Sequence, residues 1–390
     1  MTKEKNIPEL RFPEFEGEWK NGRLGEIATF SRGKSISKSD IVENGTLDCI
    51  RYGELYTVYS EIIDETVSKT NIDPKELVLS EENDVIIPAS GETQIDIATA
   101  SCVLRDGIAL SGDLNIIRSS LNGIFLSYYL NNARKLEIAR LSQGISVVHL
   151  YSSQLKTLKI NQPEPQEQQK IASFLTAVDQ RIQLLQKKKG ALEEYKKGVM
   201  QKIFSREIRF KPENGNDFPD WEEKRLGEVC NISKGQQLNK TELTESGKYP
   251  CQNGGIEPSG FTNNFNTIEN TITISEGGNS CGYVNFLKSK FWCGGHCYAL
   301  LEIKAFTEKK FLFHFLKFNQ NELMRLRVGS GLPNIQKRDI LNLIVSLPSF
   351  VEQQKIGSFL SAIEKAIESL ETELDISKEF KKGLLQKMFV

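Results

Sequence analysis

Two stretches of the chain carry apolar residues at steps of three and four positions. The first consists of Ile171, Phe174, Val178, Ile182, Leu185, Leu192, Tyr195, Val199 and Ile203. The second consists of Ile356, Phe359, Ile363, Ile367, Leu370, Leu374, Phe380, Leu384 and Met388. This spacing places the apolar side chains on one face of an α-helix. At 1.5 Å per residue each helix would be roughly 55 Å long, so its apolar face needs another long helix as a partner, as in a coiled coil.

The beginnings of both helices have recognisable signals. Pro165 suits a first helical turn, and Glu167 lies near the positive end of the helix dipole. The run from Ser349 to Glu352 has the spacing of a capping box. We therefore expect a central helix within 163–205 and a C-terminal helix within 348–390.

The helical segments also repeat each other. An offset of 185 residues relates Gln168-Gln169-Lys170-Ile171 to Gln353-Gln354-Lys355-Ile356, and Lys196-Lys197-Gly198 to Lys381-Lys382-Gly383. Upstream, an offset of 202 residues relates Trp19 to Trp221 and Leu24-Gly25-Glu26 to Leu226-Gly227-Glu228. The chain is thus predicted to be a tandem duplication, in which a globular domain is followed by a long helix twice. Because an entire domain connects the two helices, we expect them to pair antiparallel and the repeats to be related by a pseudo-two-fold axis.

The two globular domains are predicted at 1–162 and 206–347, each of mixed α/β (α+β) class. Short apolar runs predict strands at 84–87, 108–110, 271–274 and 298–303, with helices near 124–136 and 308–326. Only the first and last segments of the domains repeat clearly. Similar first and last segments around dissimilar central segments are expected for two domains that recognise different ligands.

The dissimilar interiors contain polar, glycine-rich loops. Their Arg, Lys, Gln, Asn and Ser side chains are the types that hydrogen-bond base edges and phosphates. A single loop of this kind is usually an ordinary turn, but the whole set indicates nucleic-acid recognition. The candidate DNA-binding residues are Arg32, Lys34, Ser35, Arg51, Tyr52, Ser90, Glu92, Thr93, Ser146, Lys234, Gln236, Gln252, Asn253, Asn279, Ser280, Tyr283, Ser330 and Asn334.

Glycines inside the predicted helices indicate a second kind of contact. A helical glycine costs on the order of 1 kcal/mol relative to alanine, yet Gly198 and Gly383 occupy equivalent positions of the two repeats. We interpret this as close approach of a partner's surface. The candidate partner-binding residues are Lys196, Lys197, Gly198, Lys381, Lys382 and Gly383.

Composition limits the possible classes of protein. The 390 residues carry a net charge of −1, so bulk charge does not indicate a nucleic-acid binder. The seven cysteines are odd in number and are not duplicated with the repeat, which favours reduced thiols in the cytoplasm. We expect neither a membrane span nor a secretory leader.

No catalytic constellation is predicted. Cys281, Cys293, His296 and Cys297 invite a zinc interpretation, but the cluster lacks a Cys-x-x-Cys pair and has no counterpart in the first domain. Buried thiols in adjacent strands are the alternative that we prefer. The sequence contains neither a Walker A loop nor a serine elbow. We therefore predict no catalytic residue and no metal ligand.

These duplicated motifs resemble the specificity (S) subunits of bacterial Type I restriction–modification enzymes. The pattern Pro-x-x-x-Glu-Gln-Gln-Lys-Ile-x-x-Phe-Leu opens each helix, from Pro163 and from Pro348, and Trp-x-x-x-x-Leu-Gly-Glu opens each domain, from Trp19 and from Trp221. The resemblance covers essentially the whole chain. It implies two target-recognition domains, each reading one half of a bipartite site in double-stranded DNA.

The resemblance also implies partners. The helices would set the spacer between the half-sites and dock two modification (M) methyltransferase subunits, while restriction (R) subunits complete the complex. S-adenosylmethionine, ATP and Mg²⁺ are then expected on those subunits and no cofactor on this chain, which would be non-catalytic. The alternatives are a helical scaffold that does not bind DNA and an enzyme with an unrecognised site.

Overall fold

The computed structural model describes residues 6–34, 36–144, 147–212, 217–329, 331 and 333–390. Its helices are α1 Leu24–Ile27, α2 Glu54–Thr57, α3 Gln94–Ile97, α4 Gly123–Asn132, α5 Lys135–Leu141, α6 Ser152–Leu155, α7 Pro165–Phe204, α8 Leu226–Val229, α9 Lys309–Phe318, α10 Gln320–Arg325, α11 Lys337–Leu341 and α12 Phe350–Lys387. Within these ranges no helix combines the length and hydropathy needed to cross a membrane.

The strands are short and fall into two sets of unequal size. Those before α7 are β1 Lys20–Arg23, β2 Ala28–Arg32, β3 Leu47–Ile50, β4 Ile62–Ile63, β5 Ser68–Thr70, β6 Val78–Leu79, β7 Val85–Pro88, β8 Ser90–Gly91, β9 Ser101–Val103, β10 Ala109–Leu110, β11 Leu114–Ser119, β12 Val148–His149 and β13 Lys159–Gln162. Those between α7 and α12 are β14 Glu222–Arg225, β15 Asn231–Lys234, β16 Tyr249–Gln252, β17 Phe261–Thr262, β18 Thr271–Ser275, β19 Val284–Leu287, β20 Trp292–Cys293, β21 Cys297–Leu301 and β22 Ile344–Leu347.

The chain forms two compact units. One comprises Met1–Gln186 with Glu373–Val390, and the other comprises Lys187–Thr372. Each unit therefore contains one globular domain together with part of both long helices. The division into four segments at the helix ends stays a prediction.

The first domain is built on two main sheets. One has the strand order β2-β11-β7-β9-β4 and the other β5-β3-β10-β6. Strand β7 is buried along its whole length, so both of its faces pack against protein, as its unbroken apolar run requires. The predicted helix near 124–136 is interrupted, because α4 ends at Asn132 and α5 begins at Lys135.

The second domain repeats the core of this arrangement without the edge strands β4 and β6. One sheet has the order β15-β21-β18-β19 and the other β17-β16-β20. Strand β18 is buried throughout and lies between β19 and β21. The predicted helix near 308–326 is two helices, since α9 ends at Phe318 and α10 begins at Gln320.

The segments that repeat in the sequence pair with each other in space. Strand β1 pairs antiparallel with β13, with Lys20 opposite Gln162. Strand β14 pairs in the same way with β22, with Glu222 opposite Leu347. The first and last strands thus close each domain in the same register, and between them lie sheets of the same strand order that carry different loops. The predicted tandem repeat of similar domains is confirmed.

The glutamate of the repeated helix motif is the carboxylate of a buried ion pair. Glu167 accepts two hydrogen bonds of 2.8 Å from Arg11 and one of 3.3 Å from the Trp19 indole. In the second unit Glu352 accepts bonds of 3.1 and 2.7 Å from Arg209. The expected capping box at Glu352 is therefore only half formed: its backbone N–H lies 3.4 Å from Ser349 Oγ, while its carboxylate binds the arginine.

The glutamine after each glutamate fixes the helix to its domain. Gln168 Nε2 donates to the Pro163 carbonyl at 2.8 Å, and its Oε1 accepts from the Asn122 backbone N–H at 2.9 Å. Gln353 makes the equivalent bonds, to the Pro348 carbonyl and from the Glu308 backbone N–H, each 2.8 Å long. The Glu-Gln motif therefore joins the long helix to the N-terminus of α4 or α9.

The long helices run antiparallel within each unit, as predicted. In the first unit Lys381 lies 2.7 Å from Asp179 and Arg181 lies 2.5 Å from Glu373. In the second unit Lys196 of α7 lies 3.0 Å from Glu364 of α12. The pairs Asp179–Lys381 and Glu364–Lys196 occupy equivalent positions of the two repeats.

Candidate nucleic-acid interface

A cleft of about 1030 Å³ opens on the first domain and gathers several of the predicted residues. It is lined by Arg32, Gly33, Lys34, Ile36, Ser37, Lys38, Arg51, Tyr52, Gly53, Glu54, Tyr56, Thr57, Glu92, Ser111, Gly112 and Asp113. Five of these were candidate DNA-binding residues: Arg32, Lys34, Arg51, Tyr52 and Glu92. Residues separated by up to 60 positions in the chain thus share one surface, which contains the cations Arg32, Lys34, Lys38 and Arg51 beside the carboxylates of Glu54, Glu92 and Asp113.

Two exposed cations of the cleft are placed by the end of strand β2. Arg32 is the last residue of β2, opposite Asn115 of β11. The next residue must be glycine, because a Cβ at Gly33 would lie 2.1 Å from the Ser111 carbonyl oxygen. The Lys34 backbone N–H then donates to the Leu110 carbonyl at 3.1 Å. The chain therefore passes against the sheet at Gly33, and Arg32 and Lys34 on either side of it are exposed.

A third cation, Arg51, is held by a buried carboxylate. Its Nε lies 3.0 Å from Glu54 Oε1, and the same oxygen accepts a 2.6 Å hydrogen bond from the Ser68 hydroxyl. The neighbouring Tyr52 backbone N–H donates to Ser111 Oγ at 3.3 Å. These bonds fix Arg51 and Tyr52 at the wall of the cleft, where a fixed guanidinium suits bidentate recognition of guanine or phosphate.

The loop after β7 differs from the prediction at one position. Ser90 is buried in β8, where it pairs with His149 of β12. It is therefore a framework residue and does not present its hydroxyl to a ligand. Thr93 is exposed and caps α3, since its Oγ1 accepts from the Asp96 backbone N–H at 3.1 Å. The candidates Ser35, Ser146 and Ser330 lie outside the described residues.

The second domain presents a smaller cluster of polar loops. Lys234, at the end of β15, lies 2.5 Å from the carboxylate of Glu276. Tyr298 donates to the same carboxylate oxygen at 3.0 Å, and His296 Nδ1 lies 3.6 Å from the other oxygen. Burial and the bond to Glu276 raise the pKa of the Tyr298 hydroxyl, so Tyr298 stays a donor.

The remaining candidates of this domain are distributed over several loops. Asn253 Oδ1 accepts from the His296 backbone N–H at 3.1 Å, which joins it to the cluster. Gln252 is buried and its amide donates to the Gly255 carbonyl, so it shapes a turn and does not reach a surface. Gln236 and Asn279 are exposed, whereas Ser280 and Asn334 are half-buried.

Tyr283 belongs to a different surface. The Lys317 ammonium lies 3.6 Å from the centre of its ring and donates to the Val284 carbonyl at 2.9 Å. Burial lowers the pKa of Lys317 to about 8. Tyr283 thus packs over a half-buried lysine in a second cleft, which also contains Lys288, Lys310 and Glu368.

The predicted partner-binding residues separate into two groups. Lys196 and Lys381 are half-buried and form the helix-bracing ion pairs with Glu364 and Asp179, so their first role is within this chain. Lys197 and Lys382 are exposed, and a Cβ added at Gly198 or Gly383 would meet no atom within 4 Å. Contact of this second group with a partner stays a prediction.

The cysteines of the suspected zinc cluster are core residues. Cys281, Cys293 and Cys297 are buried, as is Cys251. Burial raises the pKa of the Cys251 and Cys281 thiols. Among the described residues no group of three or more His, Cys, Asp or Glu side chains could hold a metal ion.

Sequence reasoning missed two participants of these sites. Glu54 and Glu276 are buried carboxylates that hold the half-buried Arg51 and the exposed Lys234. Their signal is local: Glu54 lies three residues after Arg51, and Glu276 stands between the alternating Thr and Ile residues of 271–274 and Gly277-Gly278. An acidic residue at such a place normally predicts a solvated turn, so the pattern does not reveal its burial.

Comparison with known families and proteins gives consistent matches. The family model described as "Type I restriction modification DNA specificity domain" matches residues 16–194 and again 219–377. A candidate type I specificity subunit of Mycoplasma pneumoniae is 33% identical over 176 residues, which are 45% of this chain and 47% of that protein. A type I specificity subunit of the same kind from Mycoplasma genitalium is 32% identical over 176 residues, and the alignment covers 46% of that protein. The chain thus spans about half the length of these two relatives.

A third relative and a solved structure match over nearly the full length. The type I restriction enzyme MjaVIII specificity subunit of Methanocaldococcus jannaschii is 25% identical over an alignment of 98% of this chain and 95% of that subunit. The crystal structure of a Type I restriction–modification S subunit from M. genitalium has a TM-score of 0.74 at 20% identity. The superposition covers 98% of this chain and 99% of the crystallised chain. At 20% identity this similarity shows a shared fold and nothing more.

Proposed function

The chain belongs to the family of Type I restriction modification DNA specificity domains, and we propose that it is the sequence-specific DNA-binding subunit of such a complex. Each globular domain reads one half of a bipartite site in double-stranded DNA. In the first domain the reading surface is the cleft that holds Arg32, Lys34 and Arg51. In the second it is the loop cluster around Lys234 and Asn253.

One observation carries this proposal. Strand pairs β1–β13 and β14–β22 close the two domains in the same register. The main sheets between them share one strand order, but the loops that they carry differ in sequence, and the first domain adds the edge strands β4 and β6. A constant frame with unlike loops suits two readers of different sequences, joined in one chain. A scaffold would have no need for two different polar loop sets on a duplicated frame.

The chemistry of the exposed side chains supports the same function. Arginine and lysine donate to guanine O6 and N7 or to phosphates, and asparagine and glutamine pair with adenine. With a net charge of −1, however, the chain has no overall excess of positive charge to attract the phosphates that contribute much of the affinity of DNA-binding proteins. We therefore propose that partner subunits contribute positive charge and enclose the DNA.

The long helices would connect the two readers and dock the partners. We propose that they set the spacer between the half-sites and bind two modification subunits, with Lys197, Gly198, Lys382 and Gly383 at the contacts. S-adenosylmethionine would be held by those modification subunits, and ATP and Mg²⁺ by the restriction subunits, so that this chain acts in the cytoplasm without chemistry of its own.

The decisive experiment expresses the chain with its modification subunit in cells that lack other methyltransferases, followed by sequencing of methylated bases. We expect one bipartite, asymmetric motif. Replacement of residues 206–347 by the equivalent domain of a relative should change one half of the motif and leave the other unchanged. A methylated motif that is the same with and without this chain would refute the proposal, and a change in both halves would refute independent reading.

A second experiment distinguishes the scaffold and enzyme alternatives. The purified chain, the modification subunit and their mixture are each tested for DNA binding by gel shift and for methyl transfer. We expect specific binding and methylation only in the mixture. Binding by the modification subunit alone with full specificity would make this chain a scaffold, and methyl transfer by the chain alone would make it an enzyme.

A further inference from the structure

Glu276 is a buried carboxylate beneath two exposed basic side chains. The residue is 4% exposed, whereas the side chains of Lys234 and His296 are 52% and 62% exposed. Its Oε1 accepts from the Lys234 ammonium at 2.5 Å and from the Tyr298 hydroxyl at 3.0 Å. Its Oε2 is buried and has no hydrogen-bond partner among the described residues, and His296 Nδ1 lies 3.6 Å from it.

The backbone around Glu276 repeats that of the first domain. The Glu276 N–H donates to the His296 carbonyl at 2.9 Å, and its carbonyl accepts from the Ile335 N–H at 2.8 Å. In the first domain the Ala89 N–H donates to the Asp113 carbonyl at 2.8 Å, and its carbonyl accepts from the Leu150 N–H at 3.0 Å. Glu276 and Ala89 therefore occupy the same place in the common frame.

The side chains at this shared place differ in charge. The second domain has Glu276 buried with His296 above it, where the first has the buried Ala89 and the exposed Asp113. Lys234 corresponds to Arg32, because each follows a serine and precedes the glycine that passes against the sheet. The first domain has the same backbone arrangement with alanine at this place, so the arrangement does not require a carboxylate there.

A buried carboxylate is costly unless its oxygens are paired. Lys234 and Tyr298 satisfy Oε1, but Oε2 has no donor among the described residues, which is unfavourable for a buried carboxylate oxygen. A small rotation of the exposed His296 ring would bring Nδ1 into hydrogen-bond range of this oxygen. The backbone of His296 is already fixed by its bonds to Glu276 and Asn253.

We infer that Glu276 is a positioning residue of the second domain, which holds the Lys234 ammonium and the His296 imidazole at the surface so that these two side chains discriminate one DNA half-site. The inference rests on the proposed function and identifies Lys234 and His296 as the side chains that recognise the half-site. The carboxylate lies too deep to touch a base itself. The first domain uses comparable chemistry on a different element, where the buried Glu54 holds Arg51.

The test measures discrimination by the full chain in complex with its modification subunit. Three duplexes are compared by fluorescence anisotropy at fixed salt: the full motif found by methylome sequencing, the same duplex with the second half-site scrambled, and one with the first half-site scrambled. For Glu276→Gln we expect the preference for the intact second half-site to fall about tenfold, and the preference for the first to stay unchanged. Affinity for the duplex with the scrambled second half-site should stay equal or increase, because a negative charge is removed.

Three further variants make the result specific. Glu242→Gln removes the same charge from an exposed position of the same domain and should leave discrimination unchanged. His296→Ala alters an exposed side chain and should reduce the preference for the second half-site in a folded protein. Lys234→Met should reduce the same preference, and because it removes the cation from the buried Glu276 carboxylate it should also lower the melting temperature. Adding Glu276→Gln to Lys234→Met should cost less than the two single losses together, since coupled residues are not additive.

The outcomes separate this inference from the proposed function. Full discrimination by Glu276→Gln and His296→Ala would overturn the positioning role, while the proposed function would stand. Equal weakening on all three duplexes, with a lowered melting temperature, would mean that Glu276 only stabilises the fold. If the wild-type complex shows no preference for the motif, the proposed function fails and the inference fails with it.

Discussion

Arg11 and Arg209 form equivalent buried ion pairs in the two units. Each neutralises the glutamate at the start of a long helix, and those carboxylates are only 1% and 0% exposed. Hydrogen bonding to these glutamates raises the pKa of both guanidinium groups, so the arginines stay charged. A buried carboxylate without its partner is strongly destabilising, by about 3–5 kcal/mol in proteins generally.

We therefore predict that Arg11→Met destabilises the first unit by about 3 kcal/mol. The reason is that Glu167 remains buried and, of its donors among the described residues, keeps the Trp19 indole alone. Hydrogen exchange followed by mass spectrometry, which resolves the two units, measures the effect. The control is Lys20→Met, because the Lys20–Glu164 pair is exposed, at 74% and 67%, and such pairs contribute at most about 1 kcal/mol. Equal effects of the two substitutions would contradict the prediction.

His314 gives a prediction about pH. Burial, with Lys196 and Lys310 nearby, lowers its pKa from the ordinary 6.5 to about 3. Between these values the unfolded chain binds a proton that the folded chain does not, so stability decreases as pH falls below 6.5, by about 1.4 kcal/mol per pH unit. His314→Gln should flatten this dependence in the second unit, with the amide replacing the ring nitrogen that bonds Ser361.

The measurement compares denaturant unfolding of the second unit at pH 7 and pH 5 for wild type and His314→Gln. His149→Gln is the matched control, since His149 is exposed and lies in the other unit. A pH dependence that is the same in all three proteins would show that other groups cause the acid sensitivity.

At the scale of elements, the long helices were predictable and the sheets were not. The apolar stripe is a local pattern, and α7 over Pro165–Phe204 falls where it predicts. Strands β7 and β18 were also predictable, because their runs of Val, Ile and Thr are buried on both faces. Strand β10 also falls within the apolar run predicted at 108–110. Strands of two residues such as β4 and β8 are instead fixed by partners far away in the chain, and no local pattern marks them. The same reason explains why burial of Ser90, Gln252 and Glu276 was missed.

The helical glycines allow a test of partner contact. Gly198 is exposed and a Cβ there meets nothing, so Gly198→Ala should stabilise the chain by up to about 1 kcal/mol. If a modification subunit approaches the backbone at Gly198, the same substitution should weaken assembly at least tenfold. Gly190→Ala is the control, since it also meets no atom and should stabilise the chain without affecting assembly.

Gly357, unlike Gly198, lies in close contact with another part of this chain. A Cβ there would lie 2.8 Å from the Phe311 backbone nitrogen at the start of α9, so Gly357→Ala should destabilise the second unit. Thermal unfolding measures the stability of each variant, and titration with the modification subunit measures its assembly. Unchanged assembly of Gly198→Ala would remove Gly198 from the proposed contact.

At the scale of the whole molecule, both long helices continue from one compact unit into the other. The units divide after Gln186 in α7 and after Thr372 in α12. Any change in helix length at these two points leaves each domain and its ion pairs intact. These points are therefore the places to test whether the helices set the distance between the half-sites.

We predict that inserting four helical residues at both points lengthens the spacer of the methylated motif by about two base pairs and leaves both half-sites unchanged. Four residues add about 6 Å and turn the helix by about 400°, which nearly restores the apolar face. Seven residues add about 10 Å, close to three base pairs, and restore the face better. Two residues turn the helix by about 200° and move the apolar residues to the opposite face, so this insertion should abolish activity and serves as the control. Methylome sequencing reads the spacer directly. Full activity of the four- and seven-residue variants on the original spacer would show that something other than the helices fixes the distance.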